Sequence, residues 1–208
     1  MKTNSYPIIP DIKDKIENPL RSSPSFLIII HRNQIIPDIK DKVENPFSSI
    51  SSVDRIRNLP EKETYKQVVQ LLAKKLFKVI SDAVSGTNEV LSVHKIVYFL
   101  NLLQQKVDLL LEETVIAIQI LQRFITQETN KDAHVLDLRN VGMSIIIPFI
   151  LSMKFSRDRM PKNKFFANMF NIPIYNLNKS ESSFLRIIDH ACWVQEDFSS
   201  LIHSYEIE

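Results

Sequence analysis

From residue 60 onward, apolar side chains recur every third or fourth position, the period of a helix with one buried face. Tyr65, Val68, Val69, Leu72, Leu76, Ile80 and Ala83 form the first such stripe, opened by Pro60 with Glu61 and Glu63. Proline suits the first helical position, and acids there complement the helix dipole. Gly86 follows the stripe where a C-terminal cap belongs. The pattern predicts a second helix over Ser92–Lys106, with Ile96, Phe99, Leu100 and Leu103 inward. A third opens at Asp108, with Glu112 and Glu113 early and Val115, Ile118, Ile120, Leu121 and Ile125 inward. The fourth runs from Leu138 to Phe155 with Asp137 as its N-cap, and it is apolar nearly all round. That pattern places it at the centre of a bundle, with a kink or break expected at Pro148. Shorter helices are predicted over 162–169, 177–190 and 196–205. The expected class is all-α.

Residues 1–60 follow a different rule. They hold seven of the ten prolines and a cluster of serines, so a boundary falls near Pro60 between a largely disordered tail and a helical domain over 61–208. Within the tail IIPDIKDKIENP (8–19) returns as IIPDIKDKVENP (35–46). Two copies are too few for a solenoid. They read either as a duplication in a poorly structured tail or as a short binding motif presented twice. Between them FLIII (26–30) is the one strongly β-prone segment.

Composition excludes more than it assigns. Lysine and arginine (26) nearly balance aspartate and glutamate (24), and a net charge of +2 is too small to argue for nucleic acid or an anionic membrane. The basic run Lys154, Arg157, Arg159, Lys162 and Lys164 reads better as a solvated connector with aromatic anchors than as a phosphate-binding face. The N-terminus lacks the apolar run of a signal peptide, and no uncharged apolar stretch reaches the roughly 18–20 residues of a membrane span. With Cys192 alone, no intramolecular disulfide forms, and an intracellular protein of cytoplasm or nucleus is expected. Two glycines leave no phosphate-cradling loop, and His190 with Cys192 is too small a set for zinc. Neither an enzyme, a metal nor a cofactor is expected. What remains is Lys154 and Glu181, two charges beside large apolar side chains at helix ends; on spacing alone they read as ordinary surface charge before they read as the polar edges of a docking surface.

The stretch carrying them resembles the cyclin box, most closely the single-box P/U-type cyclins of the phosphate-signalling kind. The matching features are Asn140-Val141, Lys154-Phe155, Asp158-Arg159, Asn163, Phe165-Phe166, Leu177-Asn178, Glu181 and Phe184-Leu185, with Arg123-Phe124 closing the third helix. The resemblance implies a five-helix cyclin box with an extra N-terminal helix and a short C-terminal helix. It implies a regulator, with no catalysis of its own, that binds a cyclin-dependent protein kinase at its C helix and favours the active state. Lys154 and Glu181 are then the residues that grip the kinase backbone, and Leu151, Phe155 and Leu185 the pocket that receives the helix. The chain departs from the family at Gln122, where aspartate is usual, and at Phe170-Asn171, where glycines are common. Those departures keep a second reading open, a degenerate cyclin-fold scaffold or transcription-related interaction protein that activates no kinase.

Overall fold

The computed structural model describes residues 61–193, and these are all-helical with no strand. The elements are α1 (Glu61–Ala83), α2 (Thr87–Val90), α3 (Val93–Val107), α4 (Leu111–Asn130), α5 (Val141–Ser156), α6 (Asn163–Met169) and α7 (Ile174–Ile187). The duplicated tail segments, the β-prone FLIII run and the helix expected over 196–205 lie outside the described residues.

The core is organised by α5. Every residue from Val141 to Met153 is buried, because its sequence offers apolar or small side chains in all directions. Against it packs α4, which buries Val115, Ala117, Ile118, Ile120, Leu121 and Phe124. The N-terminal pair α1 and α3 pack on each other, and α7 contacts both α4 and α5. Aromatic rings tie these layers: Phe124 of α4 stacks on Phe184 of α7 at 4.1 Å and 7°, and Phe99 of α3 meets Phe149 of α5 edge-on at 5.1 Å. Such pairs add about 0.5–1.5 kcal/mol beyond the area they bury.

Among the described residues the expected helices are present, with the one-turn α2 in addition, but several boundaries differ, each for a local reason. Asp108 does not open α4; it sits at φ 54° as the C-cap of α3. The start of α4 is fixed instead by Glu113, whose Oε2 accepts the Leu110 backbone N–H at 2.9 Å. Asp137 caps a turn ahead of α5, accepting the Arg139 and Asn140 amides at 2.8 and 3.1 Å, so the helix begins at Val141. Gly86 takes the left-handed conformation (φ 79°), yet it leads into the one-turn α2 and does not close α1, which ends at Ala83. Pro148 lies inside an unbroken α5, so the break considered there is absent. Finally, α7 begins after Pro173, one turn before Leu177. Its C-terminus is pinned by Lys131, whose Nζ donates to the Ile187 carbonyl at 2.8 Å and pairs with Asp189 at 2.7 Å.

Candidate functional site

Lys154 stands in the last turn of α5, where a cation complements the exposed carbonyl end of the helix. Glu181 lies in the middle of α7, and not at a helix start, because that helix begins earlier than its apolar stripe. Packing of α7 on α5 brings the two together: Lys154 Nζ is 2.5 Å from Glu181 Oε1. The other carboxylate oxygen accepts the side-chain amide of Asn163, the first residue of α6. The same amide nitrogen donates to Asn178 Oδ1 at 2.8 Å, one turn before Glu181. Three helices that are separate in sequence therefore meet at one carboxylate. The glutamate side chain is 13% exposed and the lysine 33%, so the pair is sheltered yet reachable from solvent.

The apolar residues expected with this pair are distributed unequally. Phe155, next to Lys154, is 59% exposed. Leu185, one turn after Glu181 on α7, is half-buried, while Leu151 is buried and belongs to the core. Among the described residues the large exposed apolar side chains are Leu110, Phe155, Phe165, Ile174, Tyr175 and Trp193. Four of these six fall between residues 155 and 175, on the segments that supply Lys154 and Asn163 and lead into α7. Phe165 is braced edge-on by the buried Phe166 at 5.4 Å, and Lys179 lies over the Tyr175 ring at 5.9 Å. Charged groups that are already paired beside exposed aromatic rings suit binding of another protein surface.

A second charged pair was not legible in the sequence. Arg157, part of the basic run, turns inward to Glu113 on α4. Its Nε and Nη2 donate to the two carboxylate oxygens at 2.5 Å each, and Nη1 and Nη2 also hold the Val107 and Asp108 carbonyls at 2.7 and 2.8 Å. The hydrogen bond to Glu113 holds the guanidinium pKa above its ordinary value, against the opposing effect of burial. Arg157 thus joins the end of α5 to the α3–α4 junction and fixes where the following connector starts. Arg123 also works internally, donating to the carbonyls of Ala191 and Trp193 at 2.5 and 2.9 Å. Asn163 stood in the sequence pattern without a role; its part as Glu181's partner follows only from the approach of α6 to α7.

Among the described residues no group of three or more histidine, cysteine, aspartate or glutamate side chains is arranged to hold a metal ion. No described helix is long and apolar enough to cross a membrane. Compared with protein-family models, with curated proteins and with solved structures, the chain matches none of them.

Proposed function

We propose that this chain is a single-box cyclin that docks on the C helix of a cyclin-dependent protein kinase through the surface around Lys154 and Glu181. The observation that carries the reading is the convergence of those two residues, 27 positions apart, on one sheltered ion pair, with the exposed Phe155 next to Lys154 in the chain. In support, five helices, α3 to α7, follow the longer α1, and α5, buried from Val141 to Met153, lies at their centre, which is the order expected of a cyclin box. A lysine with further donors to offer and a carboxylate held by an asparagine can take hold of a partner's main chain, while Phe155 and Leu185 supply apolar area. The kinase is regulated by population shift: the cyclin binds the active placement of the C helix better than the inactive one. That placement assembles the kinase's own lysine–glutamate pair for phosphoryl transfer.

The test is affinity purification of the tagged chain from its native cells, followed by a kinase assay on the captured material. Lys154→Glu and Glu181→Lys should each lower kinase capture by at least about tenfold, since each reverses a charge within a desolvated contact. The double exchange rebuilds the internal ion pair with opposite polarity and should leave capture low. Recovery of binding in the double variant, or no kinase in the wild-type capture, sinks the proposal. The second reading rests on Gln122, which stands where the family's aspartate is usual. It predicts that a kinase is captured but remains inactive.

A further inference from the structure

An open cleft of about 340 Å³ lies between the first three turns of α1 and the middle of α3, built by none of the residues of the Lys154–Glu181 pair. Val69, buried, and Val97, half-buried, give it apolar surface. Gln67, Gln70 and Asn101 bring three carboxamides to it. Glu63 and Lys66 also line it, and they neutralise each other at 3.3 Å. A carboxamide donates and accepts at once, so three of them can satisfy the alternating N–H and C=O groups of an extended peptide. The volume is at the lower end for a ligand site, which suits a short segment of a few side chains. With its charges already paired, the cleft offers no strong preference for an ion.

We infer that this cleft receives the duplicated tail motif of the same chain, residues 35–46 or, in alternation, residues 8–19. The tail enters α1 at Glu61, and the cleft is lined by Glu63, Lys66, Gln67 and Gln70 of that helix, so the motif is tethered directly beside its site. Residues 47–60 connect the nearer copy to α1, and 14 residues reach up to about 50 Å when extended, several times the length of the cleft-forming turns. The farther copy has a longer connection and reaches it too. Pro37 and Pro46 favour an extended backbone in the residues before them, the form that carboxamides read. Ile35, Ile36 and Ile39 match the two valines, and the remaining charges (Asp38, Lys40, Asp41, Lys42, Glu44) nearly cancel, as those of the cleft do. Tethering holds such a motif at an effective concentration of about millimolar, so weak contacts suffice, and a second copy raises occupancy without any new contact. The duplication thereby acquires a use within the chain. This inference stands apart from the kinase-docking proposal, since neither requires the other.

The experiment places a benzophenone photo-crosslinking residue at Gln70 in the full chain and maps the products by mass spectrometry. Crosslinks within one molecule to 8–19 and 35–46 are expected. Ile9→Asp together with Ile36→Asp should lower their yield by about tenfold, equivalent to losing roughly 1.4 kcal/mol of docking. An excess of the synthetic peptide IIPDIKDKVENP should displace them. The tail variant should still melt cooperatively by circular dichroism, with a midpoint lowered by no more than a few degrees, which shows that the helical domain is intact. Crosslinks to other parts of the tail, crosslinks only between two molecules, no tail crosslinks, or a yield indifferent to the isoleucine substitutions would each overturn the inference.

Discussion

Arg157 and Glu113, 44 residues apart, form a two-pronged ion pair in which both carboxylate oxygens take a guanidinium N–H at 2.5 Å. Glu113 is 1% exposed and also caps α4, so removing either partner strands a desolvated group. Breaking a buried pair costs about 3–5 kcal/mol, whereas replacing both partners by apolar side chains is often close to neutral. Arg157→Met is therefore expected to lower stability by about 3–5 kcal/mol, because it leaves the Glu113 charge buried. Glu113→Met with Arg157→Met should recover most of that loss, less about 1 kcal/mol for the missing cap. Denaturant midpoints for the two single variants and the double variant measure the coupling; simple additivity would show that the pair contributes nothing specific.

Pro148 presents the opposite case, a residue that the helix carries at a cost. Proline has no N–H to give the Ser144 carbonyl one turn earlier, and in a helix interior it is about 3 kcal/mol worse than alanine. Its ring is buried, so Pro148→Ala removes apolar contacts worth about 0.8 kcal/mol per methylene. The backbone gain exceeds the packing loss. A net stabilisation of about 1 kcal/mol is expected, seen as a rise of a few degrees in Tm by circular dichroism. A fall in Tm would mean that the surrounding core is shaped to the proline ring.

These two sites show what the sequence could and could not disclose. The central place of α5 was legible because apolar residues on every side leave no face for water. Arg157's role was not, since its partner is chosen by the approach of α4 to α5 and no local spacing encodes it. Boundaries differ from the sequence pattern where capping residues compete. Asp108 and Glu113 both precede or open an apolar stripe, and only the hydrogen bond to Leu110 tells which one starts the helix. In α7 the buried positions are Leu177, Ser180 and Phe184, so the apolar pattern starts one turn later than the helix. Ile174 and Tyr175 occupy that first turn while pointing to solvent, and this difference moved Glu181 from a helix start to mid-helix.

Cys192 gives the fold a dependence on alkaline pH. It is 1% exposed, and burial, the larger cause, together with Glu181 raises its thiol pKa, with Arg123 acting in the opposite direction. Tyr65 is likewise raised, by burial and by Asp108. Both groups are neutral when protonated, so above their ordinary pKa the unfolded chain releases protons that the folded chain retains. Folding stability from these groups is intact below about pH 9 and declines as pH rises from there. Cys192→Ala should flatten the fall in stability between about pH 9 and 10, measured as urea midpoints across that range. An unchanged slope would assign the alkaline sensitivity to other groups.

The Lys154–Glu181 pair should respond asymmetrically to reversal of its two charges. Lys154→Glu sets a second carboxylate against Glu181 at a site where the present glutamate is 13% exposed. Glu181→Lys sets two ammonium groups together, but Asn163 can turn its amide. Its Oδ1, now buried without a hydrogen-bond partner, would then face the introduced cation in place of the N–H that faces the carboxylate today. Lys154→Glu is accordingly expected to lower stability by about 1–2 kcal/mol, and Glu181→Lys by about half as much. Combining the two restores attraction and should return the urea midpoint to within about 0.5 kcal/mol of wild type. Asn163→Ala removes the adaptable amide, so in that background the cost of Glu181→Lys should rise to that of Lys154→Glu. If the asymmetry persists without Asn163, the amide is not its source.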